Sequence, residues 1–179
     1  MSGDARDDAA ATSPARAPVI PDAVLNAVYA EARAAFPDEC CGWLSGPAGD
    51  TREVDAIRPC VNVQDTERAA VAGRSAETAF TIEGKDLFEF NQAFDGANPP
   101  RVIYHSHPNG RAYFSATDQH AAVSPFGDGP AYDVLHLVVG IDRERVTESA
   151  LFAWSEGADA YVEIARFPGP DARASEERV

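Results

Sequence analysis

The sequence predicts an α/β domain in which a central mixed, largely antiparallel β-sheet is flanked by helices. Three observations support this prediction. Helical and extended segments follow one another along the chain and end in several strands, an order typical of a sheet covered by helices. RVIYHSH and DVLHLVVGID are apolar runs of the kind buried inside a sheet. The 179 residues, 45% of them hydrophobic, suffice for one domain with a substantial core.

The helices are predicted from the spacing of apolar residues. PDAVLNAVYAEARAAF has that spacing behind a proline in its first turn, and Pro37 ends the helix. SATDQHAAV predicts a short third helix. The second helix is predicted in EGKDLFEFNQAF, whose residues at near-helical spacing are Leu87, Phe88, Phe90 and Phe94.

The strands are predicted from short apolar or alternating runs. ECCGWLSG and TREVDAIRPCVNV are expected to pair as a hairpin through GPAGD. The polar stretch from Gln64 to Ala79 predicts a loop, and AFTI after it predicts a brief extended piece. Besides the two buried strands, VTESALFAWSE and AYVEIARF are expected to close the sheet.

The two ends of the chain differ in composition from the part between them. Residues 1–17 are rich in Ala, Asp, Ser, Arg and Pro without periodicity, which predicts a disordered leader, and 168–179 read as a flexible tail. The folded domain is therefore expected at 18–167. The N-terminus lacks the apolar core of a secretory signal, and no apolar run approaches the roughly 18 to 20 residues of a membrane span. We therefore expect a cytoplasmic protein without a membrane association.

Charge and cysteine content argue against several functions. The chain carries 29 acidic and 15 basic residues, and its net charge of -14 opposes binding to nucleic acid or to an anionic membrane. Three cysteines, two of them adjacent, suit neither a disulfide framework nor a Cys-rich zinc knuckle. Cys40 and Cys41 are expected to be small buried strand residues, because a nucleophilic cysteine needs a paired base.

The stretch RVIYHSHPNGRAYFSATDQH carries the clearest chemistry. Residues at i and i+2 of a strand point to the same side, so His105 and His107 project together. A turn then leads to Ser115, an expected N-cap, and to Asp118 in the first helical turn. Two imidazoles and a carboxylate form a three-ligand set for Zn²⁺ with a fourth position for water, as in catalytic sites. Such a site also needs a general base and a group that stabilises an oxyanion.

Simpler interpretations apply to each of these residues taken alone. A Ser-x-x-Asp sequence before an alanine-rich helix is ordinary capping, and a histidine pair is weak evidence by itself. His136 lies in an apolar strand, where a core histidine is favoured over a ligand. His120 lies two residues beyond Asp118 and hence on another helix face. The evidence for a site lies in the combination of four residues at fixed spacing.

This combination resembles a known family. His105-x-His107, seven residues, Ser115, two residues and Asp118 reproduce the His-x-His-x7-Ser-x2-Asp signature of the JAMM, or MPN-plus (Mov34/PAD-1-like), zinc metalloproteases. The family also carries an upstream glutamate in a Glu-x-Cys-Gly setting, which Glu39 matches in PDECCGWLSG. The segments CVN, AFTIEGKDLF and HLVVGI extend the resemblance over nearly all of the expected domain.

The resemblance implies a cytidine-deaminase-like JAMM/MPN fold with one zinc ion per chain. Glu39 would act as general base toward water and then as acid toward the departing amine. Ser115 would stabilise the tetrahedral intermediate. Asn62 stands where relatives often carry an asparagine near the substrate groove, and a turn or strand-end role is equally consistent. The zinc ligands would be His105, His107 and Asp118.

The resemblance also implies an activity, namely hydrolysis of the amide or isopeptide bond after the C-terminal glycine of a ubiquitin-like β-grasp protein. Among compact prokaryotic members, YHSHPNGRAYFSATD and GPAYDVLHLVV resemble enzymes that release cysteine from a sulfur-carrier protein. C-terminal processing of a carrier and deubiquitinase-like deconjugation in bacteria are compatible with the same residues. Residues 65–77 are a candidate flap over the substrate tail. A non-catalytic scaffold or interaction module of the same fold would be a function of a different class, and the intact motif argues against it.

Overall fold

The computed structural model describes residues 18–49, 53–69, 71–127 and 129–170. The predicted leader and residues 171–179 of the predicted tail lie outside these ranges. None of the helices within them is long and apolar enough to span a membrane. The α/β fold class predicted from the sequence is confirmed. The elements are α1 Asp22–Ala35, β1 Cys41–Ser45, β2 Ala56–Cys60, α2 Gly84–Ala93, β3 Pro100–His107, α3 Ala116–Ala122, β4 Leu135–Ile141, β5 Val146–Ser155 and β6 Ala160–Pro168.

The strands form one six-stranded sheet in the order β2-β1-β3-β4-β5-β6. Neighbouring strands are antiparallel except β3 and β4, which run parallel. Parallel neighbours need a crossover connection, and the one between β3 and β4 contains α3. The predicted pairing of β1 with β2 is confirmed, with Cys41 opposite Cys60. AFTI contributes an isolated bridge between Ile82 and Asn62 rather than a strand.

Alternation along β3 sends its side chains into two different cores. Val102 and Tyr104 point to the face covered by α1, where both are fully buried. Ile103 points to the opposite face and packs with Phe90 of α2. A fully buried aliphatic or aromatic side chain contributes about 1.5–3 kcal/mol, so both cores stabilise the position of β3. The two motif histidines continue the Ile103 side of the strand.

The second helix contacts the sheet along a narrow stripe. Its buried residues are Asp86 and Phe90, four positions apart on one face. Leu87 and Phe88 are 39% and 62% exposed, although their spacing groups them with Phe90. Asp86 occupies the sheet-facing position because its carboxylate accepts hydrogen bonds from the Val61 backbone N–H and from an arginine of β2. The polar contact therefore sets the rotation of the helix.

Gly140 provides a test of how the loop that follows β3 packs against β4. It lies opposite His107 in the parallel pair, and a Cβ there would come within 2.8 Å of the Arg111 backbone. Gly140→Ala must therefore push this loop off the sheet, and we expect a loss of about 1–3 kcal/mol in the free energy of unfolding. Gly157→Ala is the control, because its Cβ meets nothing within 4 Å. Equal melting temperatures for the two variants would contradict this packing.

Candidate active site

The end of β3 and the first turn of α3 bring three side chains together. His105 Nε2 lies 3.4 Å from Asp118 Oδ1, and His107 Nε2 lies 3.4 Å from Asp118 Oδ2. The two Nε2 atoms are 3.2 Å apart. The exposed fractions of the three residues are only 0%, 5% and 9%. The three residues predicted as ligands thus form a buried group able to hold a metal ion.

The start of α3 fixes the direction of the Asp118 carboxylate. Ser115 Oγ accepts a hydrogen bond from the Asp118 backbone N–H at 3.2 Å, and Asp118 Oδ2 accepts one from the Ser115 N–H at 2.7 Å. This reciprocal capping box confirms the predicted N-cap. Since the same carboxylate faces both histidines, the cap also orients the metal-binding group.

The electrostatics of this group favour a bound cation. Burial raises the pKa of Asp118, but the charge of His105 and hydrogen bonds from its neighbours outweigh it and hold the pKa below its usual range. Burial lowers the pKa of His105. The negative charges of Asp118 and Glu39, together with a hydrogen bond to Asp118, raise this pKa by more, so the net shift is upward. For His107 burial prevails and the pKa falls. Two carboxylates therefore create a negative field at the imidazoles, which a divalent metal neutralises.

The donor set fits zinc. Its nitrogen and oxygen atoms lie within 4.8 Å of one another and come from a strand end and a capped helix. Imidazole nitrogens and carboxylate oxygens bind Zn²⁺ at about 2.0–2.2 Å, which sets the ligand atoms of a tetrahedral site about 3.3–3.6 Å apart. The distances of 3.2 Å between the two Nε2 atoms and 3.4 Å from each to an Asp118 oxygen are close to this spacing. Three protein ligands are the number found in catalytic zinc sites, where the fourth position takes water or substrate.

Glu39, just before β1, lies in the same cleft. This cleft of about 820 Å³ is also lined by His107 and Ser115. The Glu39 side chain is buried, and its Oε2 has no hydrogen-bond partner among the described residues. Burial raises the pKa of Glu39 to about 7, although the charge of His105 opposes the shift. A carboxyl group with a pKa near neutrality is suited to taking up and releasing a proton at physiological pH.

Two hydrogen bonds fix the chain next to Glu39 against the histidine strand. Ser106 Oγ accepts from the Cys40 N–H at 2.9 Å, and the Cys40 carbonyl accepts from the Ser106 N–H at 3.2 Å. Ser106 is the middle residue of His-x-His, so its side chain faces away from the metal-binding group. Sequence reasoning missed this residue. The signal was strand alternation, which places a small polar side chain on the otherwise apolar side of β3.

Asn62 lies after β2, and its side chain binds the backbone around Glu39. Its Nδ2 donates to the carbonyls of Glu39 at 2.9 Å and Ala79 at 3.3 Å. Its Oδ1 accepts from the N–H groups of Gln64 at 3.0 Å and Thr81 at 3.1 Å. These four bonds use the full capacity of the amide. The substrate-binding role of Asn62 stays a prediction, and the contacts show that it joins three segments beside the site.

Two residues of the segment predicted as a flap, 65–77, form part of one wall of the cleft, namely Arg74 and Glu77. The Asp65 carboxylate accepts from the Ala76 N–H at 2.7 Å, and the Ala76 carbonyl accepts from the Glu39 N–H at 2.8 Å. The wall is therefore joined to the backbone of Glu39. Its role as a flap stays a prediction.

Other candidate residues have structural surroundings. His136 is buried in β4 between Phe114 and Tyr161, with ring centroids 4.9 and 4.6 Å away, as expected of a core histidine. Burial lowers its pKa to about 3. Cys40 and Cys41 are buried as predicted, and burial raises the pKa of Cys40 to about 12, which keeps its thiol protonated.

Comparison with known proteins identifies the family of this chain. The model of the prokaryotic homologs of the JAB domain matches residues 21–155. The chain belongs to this family. The JAB-domain protein is 36% identical over 102 residues to proteins of Mycobacterium tuberculosis and Mycobacterium bovis named CysO-cysteine peptidase. The match covers 57% of this chain and 63% of those proteins, so the chain spans less than two thirds of the length of the curated relatives it matches.

Solved structures agree with the fold of the JAB-domain protein. A solution structure from Desulfitobacterium hafniense gives a TM-score of 0.53 at 23% identity, covering 78% of this chain and 84% of the other. One from Salinibacter ruber gives 0.52 at 20% identity, covering 84% and 90%. At these identities the likeness supports the fold alone, and the chemistry is argued from this chain's own residues.

The Cys40–Ser106 contact can be tested against a second buried serine. Ser106→Ala leaves the buried Cys40 N–H without its acceptor, which costs about 1–3 kcal/mol. Ser149→Ala is the matched control, since Ser149 is equally buried and its hydroxyl bonds Tyr29 in the α1 core. We expect similar losses of stability but reduced zinc affinity or turnover only for Ser106→Ala. The same zinc affinity and turnover in both variants would contradict a role of Ser106 in the site.

Proposed function

We propose that this JAB-domain protein is a zinc-dependent peptidase that hydrolyses the amide or isopeptide bond after the C-terminal glycine of a ubiquitin-like β-grasp protein. The observation that carries the proposal is the convergence of two histidines and an aspartate beside a cleft that Glu39 also lines. A sulfur-carrier protein is the favoured substrate, because the mycobacterial relatives are named CysO-cysteine peptidases.

Each residue of the site has a task in such a hydrolysis. His105, His107 and Asp118 would hold the zinc. Bound zinc supplies a Lewis acid and lowers the pKa of a water molecule toward neutrality. Glu39 takes a proton from water at its carboxylate and passes it to the departing amine, a task for which a pKa near 7 is well matched.

We assign to Ser115 the stabilisation of negative charge on the substrate carbonyl oxygen. Its Oγ accepts a hydrogen bond from the Asp118 N–H, and this leaves the hydroxyl hydrogen available as a donor. The residue also lines the cleft. A donor that is held in place before the charge develops lowers the barrier by about 2.7–4 kcal/mol in well-characterised oxyanion holes.

The role of Glu39 is tested by Glu39→Gln. The amide keeps the size of the side chain but cannot take up a proton, so we expect hydrolysis to fall by at least about 100-fold. Zinc content, measured by mass spectrometry of the metal, should stay near one per chain, because Glu39 is not a proposed ligand. The control Glu144→Gln changes an exposed glutamate outside the lining of the cleft. A Glu39→Gln variant with wild-type turnover, or without zinc, would refute the assignment.

The activity itself is tested with a sulfur-carrier protein whose Gly-Gly end is extended by one cysteine. Incubation with the zinc-loaded protein should release cysteine, seen by intact mass as loss of one residue from the carrier. A chelator should stop the reaction and added zinc should restore it. An unchanged carrier mass under all conditions would contradict the proposal.

A further inference from the structure

The cleft beside the metal-binding group carries two arginines. Arg74 lines it from the loop after β2, and Arg143 lines it from the turn between β4 and β5. Both side chains are exposed. Two guanidinium groups at one opening are unexpected in a chain with a net charge of -14. Glu39 and Glu77 line the same cleft, so the arginines offset these carboxylates and supply the positive groups to which an anion can bind there.

Arg74 and Arg143 differ from two other arginines of the chain in their salt bridges. Arg58 bonds Asp86 and Glu89, and Arg166 bonds two further glutamates. Within the described ranges neither cleft arginine has a carboxylate at salt-bridge distance, and the charge of Arg74 acts on Glu39 from farther away, where it lowers the pKa of that carboxyl. Arg74 donates from Nη1 to the Thr78 carbonyl at 3.1 Å, which leaves most of its five N–H donors unused by that bond.

The arginines share a cleft with Glu39, and this location determines what they can contact. Glu39 must deliver a proton to the departing amine, so the leaving group occupies the cleft that Glu39 and the arginines share. A separate, mainly apolar pocket of about 230 Å³ is lined by His105 and Asp118 and by neither arginine. The two openings differ in polarity, and the charged one is on the leaving-group side.

We propose that Arg74 and Arg143 bind the α-carboxylate of the leaving group, which is then a single amino acid with a free carboxyl end. The inference rests on the proposed function. Hydrolysis adds the oxygen of water to the acyl carbon and its proton to the amine, releasing the carrier carboxylate and the amino acid. The α-carboxylate of that amino acid is two bonds from the scissile nitrogen, so it enters the same cleft. A lysine side-chain amine in a conjugated protein presents no carboxylate there.

The test compares three substrates that share one sulfur-carrier protein ending in Gly-Gly. The first carries a C-terminal cysteine, the second carries cysteine amide, and the third is joined to the ε-amine of a lysine whose α-amine and carboxyl are blocked. We expect the free acid to exceed the other two in kcat/KM by about 10- to 100-fold, the effect of a hydrogen bond to a charged group.

The arginines are tested on the acid and amide substrates. Arg74→Ala and Arg143→Ala should each reduce kcat/KM for the acid more than kcat/KM for the amide, so that the acid-to-amide ratio falls toward one. Arg145→Ala is the control, because it removes an exposed arginine from the same turn outside the lining of the cleft. It should keep the wild-type ratio.

The outcomes separate the two proposals. Hydrolysis of acid and amide at equal rates by the wild type, or a ratio unaffected in both cleft variants, overturns the carboxylate site while the peptidase function stands. A preference for the lysine-linked substrate also overturns it and favours deconjugation. No hydrolysis of any of the three by zinc-loaded protein overturns the proposed function and the inference with it.

Discussion

Two hydrogen bonds between Cys40 and Ser106, each involving the Cys40 backbone, set the geometry on which the site depends. They join the chain that carries Glu39 to the strand that carries both histidines, at the point where β1 and β3 lie side by side. Because side chains alternate along β3, one face of the strand provides this anchor and the α1 core, and the other face provides the imidazoles. A shift of one residue in register would exchange the two faces and destroy both.

The same arrangement places unusually many polar groups in the interior. Glu39, His105, His107 and Asp118 are all nearly buried. Burial of charged groups is unfavourable unless they are paired or bind a metal. The capping box of α3 and the contacts of Asp118 with the histidines offset part of this cost, and a divalent cation held by His105, His107 and Asp118 would offset more. The buried charged groups therefore lower the stability of the fold at the place where the proposed chemistry requires them.

Much of the fold and the ligand group was predictable because both depend on local spacing. His-x-His fixes one face of a strand, and Ser-x-x-Asp fixes a cap and the return of the carboxylate. The rotation of α2 was not predictable, since the buried Asp86 carboxylate overrides the apolar spacing of Leu87 and Phe88. The arginines of the cleft were also missed, because Arg74 and Arg143 are nearly 70 residues apart in the sequence and reach the same cleft only through the folding of two separate loops.

The most direct test of the central claim is the position of the metal. A crystal of the protein grown with zinc should show, in anomalous diffraction at the zinc absorption edge, one strong peak bonded to His105 Nε2, His107 Nε2 and a carboxylate oxygen of Asp118. Glu39 should remain outside the bonding distances of the ion and face it from the cleft. A peak located elsewhere, no peak at this group, or direct coordination of the zinc by Glu39 would contradict the account.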